Sequence, residues 1–423
     1  MKVYLVQTGI AIEPLGDPMA DTFLGGETMG TAVERAYTEA DVSVERVSTS
    51  DDIPLKGDYL LAPDNLFLTR SCVRAFSESS GQKTNPGRLA LLRGPAVDYL
   101  RPLMEVTEDE DSISFELYRI RGIEIPRGMD WKELNAFLST RAEKIAIDPK
   151  PKIELIPQSR PGPPWGYIDL PRTTLLAADI RHWVHIVWLN HLLPWVRLEE
   201  YWEDHPGLKR SWRSRGSNPY RRAARRSVIG KNCRIHPTAY VEGSILGDCV
   251  SMGPFTCVRD SIISDGVEIS DHSKFQRCVV GEKCHTLNDS YFIGCTFYSG
   301  STLASFMLRN SVLGRRVFIT SGVMFWDEAI EEPVEVIDRG QSVATGRWQL
   351  GGCAGHECIL GTRAIFLPGR AVPNRTMIVM RPEEGVVKLP AHAKRGVPHV
   401  YHQGNIQPLE QVLPDWKPLE IDQ

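Results

Sequence analysis

The sequence predicts a two-part protein: an α/β N-terminal domain on a Rossmann-related parallel sheet, followed by a left-handed parallel β-helix of hexapeptide repeats. Two observations predict it. Over residues 1–157 short apolar runs alternate with amphipathic segments, the pattern of strand–helix–strand units. From Ile229 onward an aliphatic residue returns every six positions, often followed by Gly, with a small or β-branched residue four places after it. Helical periodicity is 3.6 and strand alternation is 2, so neither produces this repeat. Short strands separated by tight turns and wound into a three-sided solenoid do.

The 423 residues carry 49 Lys and Arg against 53 Asp and Glu, a formal charge of −4, with 42% apolar and 24% charged residues. This usage excludes a wholly disordered chain and argues against a dedicated nucleic-acid binder. Nine Cys occur without a Cys-x-x-Cys pair. Their spacing matches neither a zinc site nor a disulfide framework, so packed, reduced thiols, no metal ligand set and a cytoplasmic location are expected. The N-terminus turns polar at Gln7-Thr8, too soon for the apolar region of a signal peptide.

In chain order, Val3-Tyr4-Leu5-Val6 reads as a buried strand, and residues 28–40 as a helix with Met29, Ala32, Val33, Ala36 and Tyr37 on one side. Residues 58–62 form a second strand ending at Pro63-Asp64-Asn65, and a helix over 69–78 is closed by Gly81. A parallel sheet places any ligand at the carboxyl ends of its strands.

Residues 158–226 read as a linker region. The Pro-rich Ser159-Arg160-Pro161-Gly162-Pro163-Pro164 sustains neither helix nor ladder. A long helix is expected over 173–202, bent or split at Pro194 and carrying Trp183, Trp188, Trp195 and Trp202. Packing on its own protein or on a subunit partner is the favoured reading. An interfacial membrane helix is the alternative, disfavoured because the opposite face is not rich in Lys or Arg. A basic run from Lys209 to Arg226 reads as a connector pairing with acids of a neighbouring domain.

The β-helix is expected over 227–381, with a tail over 382–423. Its units include Leu246-Gly247 with Val250, Val280-Gly281 with Cys284, Ile293-Gly294 with Phe297, Leu313-Gly314 with Val317 and Leu360-Gly361 with Ala364. The aliphatic residue points into a narrow prism, and the second inward position is small because three sides converge there. Flat faces and an exposed end favour self-association, as a homotrimer.

Gly253-Pro254-Phe255-Thr256-Cys257-Val258-Arg259 is similar to the Gly-Pro-Phe-x-x-x-Arg segment of the bifunctional sugar-1-phosphate nucleotidylyltransferase/acetyltransferases, which include the enzymes forming UDP-N-acetylglucosamine. Ala344-Thr345-Gly346-Arg347-Trp348-Gln349-Leu350-Gly351 resembles the loop insertion of the archaeal-type members, and Phe366-Leu367-Pro368-Gly369 the coil after it. Phe23-Leu24-Gly25-Gly26-Glu27-Thr28-Met29 and Ala62-Pro63-Asp64-Asn65 resemble, more faintly, segments of the family's nucleotidyltransferase domain. There the first loop is Gly-rich and cationic; here Gln7-Thr8-Gly9-Ile10-Ala11-Ile12-Glu13-Pro14 has no basic residue. The domain is therefore expected to have lost nucleotidyl transfer, with Mg2+ relevant only if it is active.

The resemblance implies an acyltransferase using acetyl-CoA as cosubstrate and an amino sugar, as sugar phosphate or nucleotide sugar, as acceptor. His285 would be the base, although an alignment without gaps places Asn288 there instead. Arg259, Tyr291, Gln276, Asn288 and Arg347 would bind substrate, with Gln276 and Gln349 standing where the family has Lys. Gly300, Ser301, Thr302, Ala304, Arg363 and Arg370 would line the cosubstrate groove between adjacent prisms. His272 is a second candidate base. The alternatives are a degenerate sugar- or nucleotide-binding scaffold and residual nucleotidylyltransferase activity.

Overall fold

The computed structural model describes residues 1–158, 166–207, 224, 226–379, 397–402 and 405–414. The Pro-rich stretch, His392 and the basic run apart from Arg226 lie outside them.

The N-terminal sheet runs Glu143–Ile147, Gly87–Leu92, Ser112–Ile120, Tyr59–Pro63, Lys2–Val6, Ser43–Val47. Lys2–Val6 is parallel to both neighbours, and Glu143–Ile147 is parallel to Gly87–Leu92, as the strand–helix alternation predicts. Ser112–Ile120, however, is antiparallel to both of its neighbours. The chain enters it from a tight hairpin with Thr107–Glu108, where the Asp109 carboxylate accepts from the amides of Asp111 and Ser112. A hairpin reverses direction, whereas a parallel neighbour needs a crossover. Strand alternation splits the core. Val3 and Leu5 join helices Met29–Thr38 and Arg70–Gly81, while Tyr4 and Val6 pack with helix Trp131–Ser139.

The helix expected over 173–202 begins ten residues later (183 − 173 = 10) and spans Trp183–Asp204, unbroken at Pro194. Ala177–Asp179 is instead a strand antiparallel to Leu66–Leu68, with Asn65 donating to Asp179 Oδ1 at 2.5 Å. Long-range pairing outweighs local periodicity here. Two histidines cap the helix: His182 Nδ1 accepts from the Val184 amide, and His185 Nδ1 from the His182 amide, each at 3.3 Å. Trp183, Trp188 and Trp202 are buried and Trp195 is partly buried, so the Trp-rich face packs on the protein itself. Among the described residues no helix is long and apolar enough to cross a membrane. Arg226, of the basic run, pairs with Glu199. The expected boundary at 157/158 falls inside an antiparallel hairpin, Lys152–Gln158 with Gly166–Arg172.

From Val228 the chain winds into the three-faced β-helix. Two faces are eight-stranded sheets, and the third has five strands from Tyr240–Glu242 to Met307–Arg309. Inward partners on the first face are one coil apart: Leu246, Ile263 and Val280, each 17 residues on (263 − 246 = 17; 280 − 263 = 17). One unit is out of the expected phase. Phe292, not Ile293, points inward beside Phe297, because the third-face strand Tyr291–Ile293 puts its middle residue in the prism.

The middle of the first face is covered. Of its outward row, Val279, Thr296, Val312 and Cys353 are fully buried, whereas Val228 and Ile245 before them are half-buried and Ala371 after them is exposed, and helix Trp183–Asp204 lies against this side. Doublets such as Ile262-Ile263, Val279-Val280 and Val312-Leu313 lie on this face, but Phe318-Ile319, Ile359-Leu360 and Met377-Ile378 on the open second face are apolar doublets too, so docking rather than the local pattern marks the covered side. Burying each such Val stabilises by about 1.5–3 kcal/mol. The insertion after Phe325 carries the hairpin Glu335–Asp338 with Gln341–Ala344. Val334, Val336 and Leu350 from it enter the N-terminal core, so the two parts share one interior. All nine cysteines are unpaired, most of them buried.

Candidate functional site

On the third face the outward residues form two rows. One holds Tyr240, Cys257, Lys274, Tyr291 and Met307; the other holds Glu242, Arg259, Gln276, Ile293 and Arg309. Three expected substrate residues, Arg259, Gln276 and Tyr291, therefore share one surface on successive coils, about 4.8 Å apart per rung. Arg259 Nε donates to Glu242 Oε2 at 2.9 Å. The Lys274 ammonium sits 4.8 Å from the Tyr291 ring centroid.

His285 projects from the second face, in line with Glu268 below and Thr302 above. Its Nδ1 lies 3.2 Å from Glu268 Oε2, and both side chains are about half exposed (50% and 58%). Among the described residues Nε2 has no partner. Asn288 is exposed in the turn between the second and third faces. His272, at the same corner one coil earlier, stacks on Phe255 (5.3 Å between ring centroids). Thus His285 and Arg259 point from different faces of one prism.

The expected cosubstrate residues are spread over the corners. Gly300 turns the chain between the first and second faces with φ +72°. Ser301 is buried and turned inward, its hydroxyl donating to Gly314 O at 2.9 Å and accepting from the Val317 amide. Thr302 adjoins His285. Ala304 and Arg363 occupy the corner between second and third faces, and exposed Arg370 lies between third and first.

Arg347, from the insertion, does not reach the His285 face. One terminal nitrogen donates to Tyr99 O at 2.7 Å, and its guanidinium lies over the Tyr99 and Trp188 rings at 4.6 and 5.6 Å. With Gln276 it lines a cavity of about 360 Å³ between the third-face corner, helix Trp183–Asp204 and the hairpin 152–172. Of its wall the sequence offers Arg277, with Lys274 and Arg347, as a cation to replace the Lys missing at 276 and 349, whereas no pattern marks His191, Tyr99 or Arg309. The one signal was a polar His191 among the apolar residues of the Trp-rich helix. His191 Nε2 donates to Gly294 O at 3.0 Å, so Nδ1 accepts from the Tyr99 hydroxyl at 2.8 Å. Burial, with the nearby charges of Arg277 and Arg347, pushes His191 down to about 3, so this ring is neutral.

A second cavity, about 430 Å³, lies at the carboxyl ends of Lys2–Val6 and Tyr59–Pro63. Arg46 is the cation in its described wall, and it is tied to Glu34 (3.3 Å) and Gly30 O (3.1 Å). Asp64 accepts from the Thr8 amide and hydroxyl at 3.0 and 2.6 Å. Asp17 turns away to Arg315 and His356 of the β-helix. Two carboxylates already engaged in different directions do not fit a divalent ion such as Mg2+, and an uncompensated triphosphate would be poorly held.

Residues 214–297 match the family model described as GlmU-like, C-terminal hexapeptide. A 45-residue stretch is 53% identical to a glucose-1-phosphate adenylyltransferase of Rhodopirellula baltica, covering 11% of this chain and 10% of that protein. The chain thus spans about a tenth of the length of this curated relative. The coils that carry Arg259, Gln276, His285 and Tyr291 are accordingly similar to a GlmU-like hexapeptide segment.

Proposed function

We propose that this chain is a hexapeptide-repeat acyltransferase, moving an acetyl group from acetyl-CoA to the amine of a sugar that carries a phosphate or nucleotide. The observation that carries the reading is the His285–Glu268 pair. A carboxylate at 3.2 Å orients the imidazole through Nδ1 and leaves Nε2 toward solvent, the arrangement a general base requires. The amine attacks the thioester carbonyl, the C–N bond forms, the C–S bond breaks, and Nε2 takes the amine proton and returns one to the departing thiolate.

His285 and Arg259 face different directions in one prism, so a site using both forms where prisms of adjacent copies meet. Exposed Phe318, Ile359 and Met377 on the second face and Met307, Met324 and Ile365 on the third support such packing, as a homotrimer. In that cleft Thr302, Ala304 and Arg363 would lie along the cosubstrate. Arg259 and Tyr291 would orient the sugar. Nine unpaired thiols suit a reducing cytoplasm.

Transfer of label from acetyl-CoA to glucosamine 1-phosphate tests the reading. His285→Ala is expected to lower turnover by about 10²–10⁴-fold, while CoA still raises the melting temperature. Undiminished turnover would remove His285 from the mechanism. The second reading, a sugar-binding scaffold without turnover, is favoured by Arg259 being tied to Glu242 and by Gln at 276. It predicts sugar-phosphate binding with no transfer at any pH.

A further inference from the structure

We infer that the cleft between the Gly25-Gly26 turn, the end of helix Trp183–Asp204 and the early coils of the β-helix binds an aliphatic diamine or polyamine, its ammonium groups held by Glu200, Asp265 and Glu282. This site is formed within one chain, takes a cation, and does not depend on the acyl-transfer reading.

The cleft has a volume of about 460 Å³. Five carboxylates line it, those of Glu27, Glu200, Asp204, Asp265 and Glu282, against the guanidiniums of Arg35 and Arg197, a balance of 2 − 5 = −3. Both guanidiniums are already engaged. Glu27 Oε1 accepts from Arg35 and Arg197, and Glu200 Oε2 accepts from the same two at 3.4 and 3.2 Å. Asp204 is held by Arg70, which Glu203 and Glu39 also share. Asp265 and Glu282 make no ion pair among the described residues.

Glu200 supplies an independent sign of a ligand. It lines the cleft and is only 3% exposed, yet its Oε1 has no hydrogen-bond partner. A buried carboxylate oxygen without a donor is costly, and an N–H group in the cleft would satisfy it. Burial also pushes the Glu27 and Glu200 carboxyls up against the pull of Arg35. Positive charge brought beside them is therefore favourable.

The placement of the acids suits an organic cation rather than a metal ion. Among the described residues no three His, Cys, Asp or Glu side chains are grouped to hold one ion. Glu200 comes from the helix, whereas Asp265 and Glu282 come from corners of successive coils, about 4.8 Å apart. Ammonium groups separated by methylenes span such a spread. Ile245 and Ile262 of the first face offer apolar surface for the methylenes, and the Tyr201 ring in the same wall attracts an ammonium.

Isothermal titration calorimetry on the full chain tests this at about 0.15 M ionic strength, with putrescine, spermidine, n-butylamine and Mg2+ as probes and neither thioester nor sugar present. We expect putrescine or spermidine to bind about tenfold or more tightly than either butylamine or Mg2+. Glu200→Gln should weaken that binding by about tenfold or more, and so should Asp265→Asn combined with Glu282→Gln, two exposed positions where folding is not at stake. Glu331→Gln, an exposed acid of the insertion, should leave it unchanged. Ser264→Phe, which fills the cleft without changing charge, should abolish binding in a protein with an unaltered circular dichroism spectrum. Polyamine binding that survives the Asp265/Glu282 double substitution or the Ser264→Phe plug overturns the proposal. So does the absence of polyamine binding, or butylamine or Mg2+ binding as tightly. Loss of acetyl transfer alone would leave it standing.

Discussion

Asp17 and Arg315, 298 residues apart in sequence, form a two-pronged ion pair that ties the first loop of the N-terminal domain to the β-helix. His356 Nε2 completes the cluster at 3.0 Å from Asp17 Oδ2, and Asn374 donates to Leu15 O at 2.9 Å. The loop that a nucleotidyltransferase would use for phosphate is here a clamp between domains.

Burial acts to raise the Asp17 carboxyl, but hydrogen bonds and charge from His356 and Arg315 outweigh it and hold the carboxyl below its ordinary value. A depressed carboxylate stabilises the fold above its unfolded pKa, and that contribution is lost as pH falls through the folded value. Asp17→Asn should therefore cost about 1–3 kcal/mol at pH 7, less than a fully buried pair because Arg315 is one-third exposed. In denaturant titrations the wild-type advantage should shrink below about pH 4. An advantage independent of pH would reject the ion pair as its source.

Asp327 shows the opposite sign. Burial first, with Glu328 nearby, pushes its carboxyl up to about 6 against the pull of Arg309 and Asn310. A raised carboxyl destabilises the fold progressively from about pH 4 to 6 and fully above it. That displacement corresponds to about 2–3 kcal/mol. Asp327→Asn should thus gain on wild type as pH rises from 4 to 8, read from melting curves at fixed ionic strength.

Gly294 carries φ +61° at a corner, and a Cβ there would lie 2.5 Å from His191 Nε2 and 2.7 Å from Asn310 Oδ1. Gly294→Ala should displace His191 from its bond to Gly294 O and cost about 2–4 kcal/mol by strain and a lost buried hydrogen bond. Gly340→Ala is a control for positive φ alone, since nothing lies within 4 Å of its position. Equal losses in the two variants would exclude the steric account.

On the acyl-transfer reading, Glu268→Gln should keep His285 in place but weaken its orientation and charge support. Turnover should fall by about 10–100-fold, with cosubstrate binding, read as a thermal shift, unchanged. Undiminished turnover would mean that Glu268 is only a surface neighbour.

How much of this could be read from residues alone follows from the range of the interactions involved. The six-residue repeat was legible because each coil repeats the same local constraint: an aliphatic at the prism floor, a small residue where sides converge, and Gly or a tolerated positive φ at corners. Val250, Val267 and Cys284 occupy the small inward position as the repeat implies. The Phe292 phase was misread because Ile293-Gly294 mimics the repeat unit, and only pairing with the coils on either side shows which residue points inward.

The candidate site was legible in part. The Gly-Pro-Phe context marked Arg259, and strand pairing then put Gln276 and Tyr291 on the same face. Arg277 was legible only as a cation that, with Lys274 and Arg347, stands in for the missing Lys, because a lone corner Arg has no local pattern that shows what it meets. Its neighbours Tyr99, His191 and Arg347 lie far away along the chain and meet it only after the domains dock.

The sequence by itself therefore determined the solenoid and the α/β alternation, since both arise from periodic burial along a short stretch of chain. Tertiary structure alone decided that residues 177–179 form a strand rather than a helix, that the middle of the first face lies under the Trp-rich helix, and that Asp17 pairs with Arg315. The physical reason is the same in each case: burial and ion pairing between distant segments outweigh local preferences of about 1 kcal/mol or less per residue.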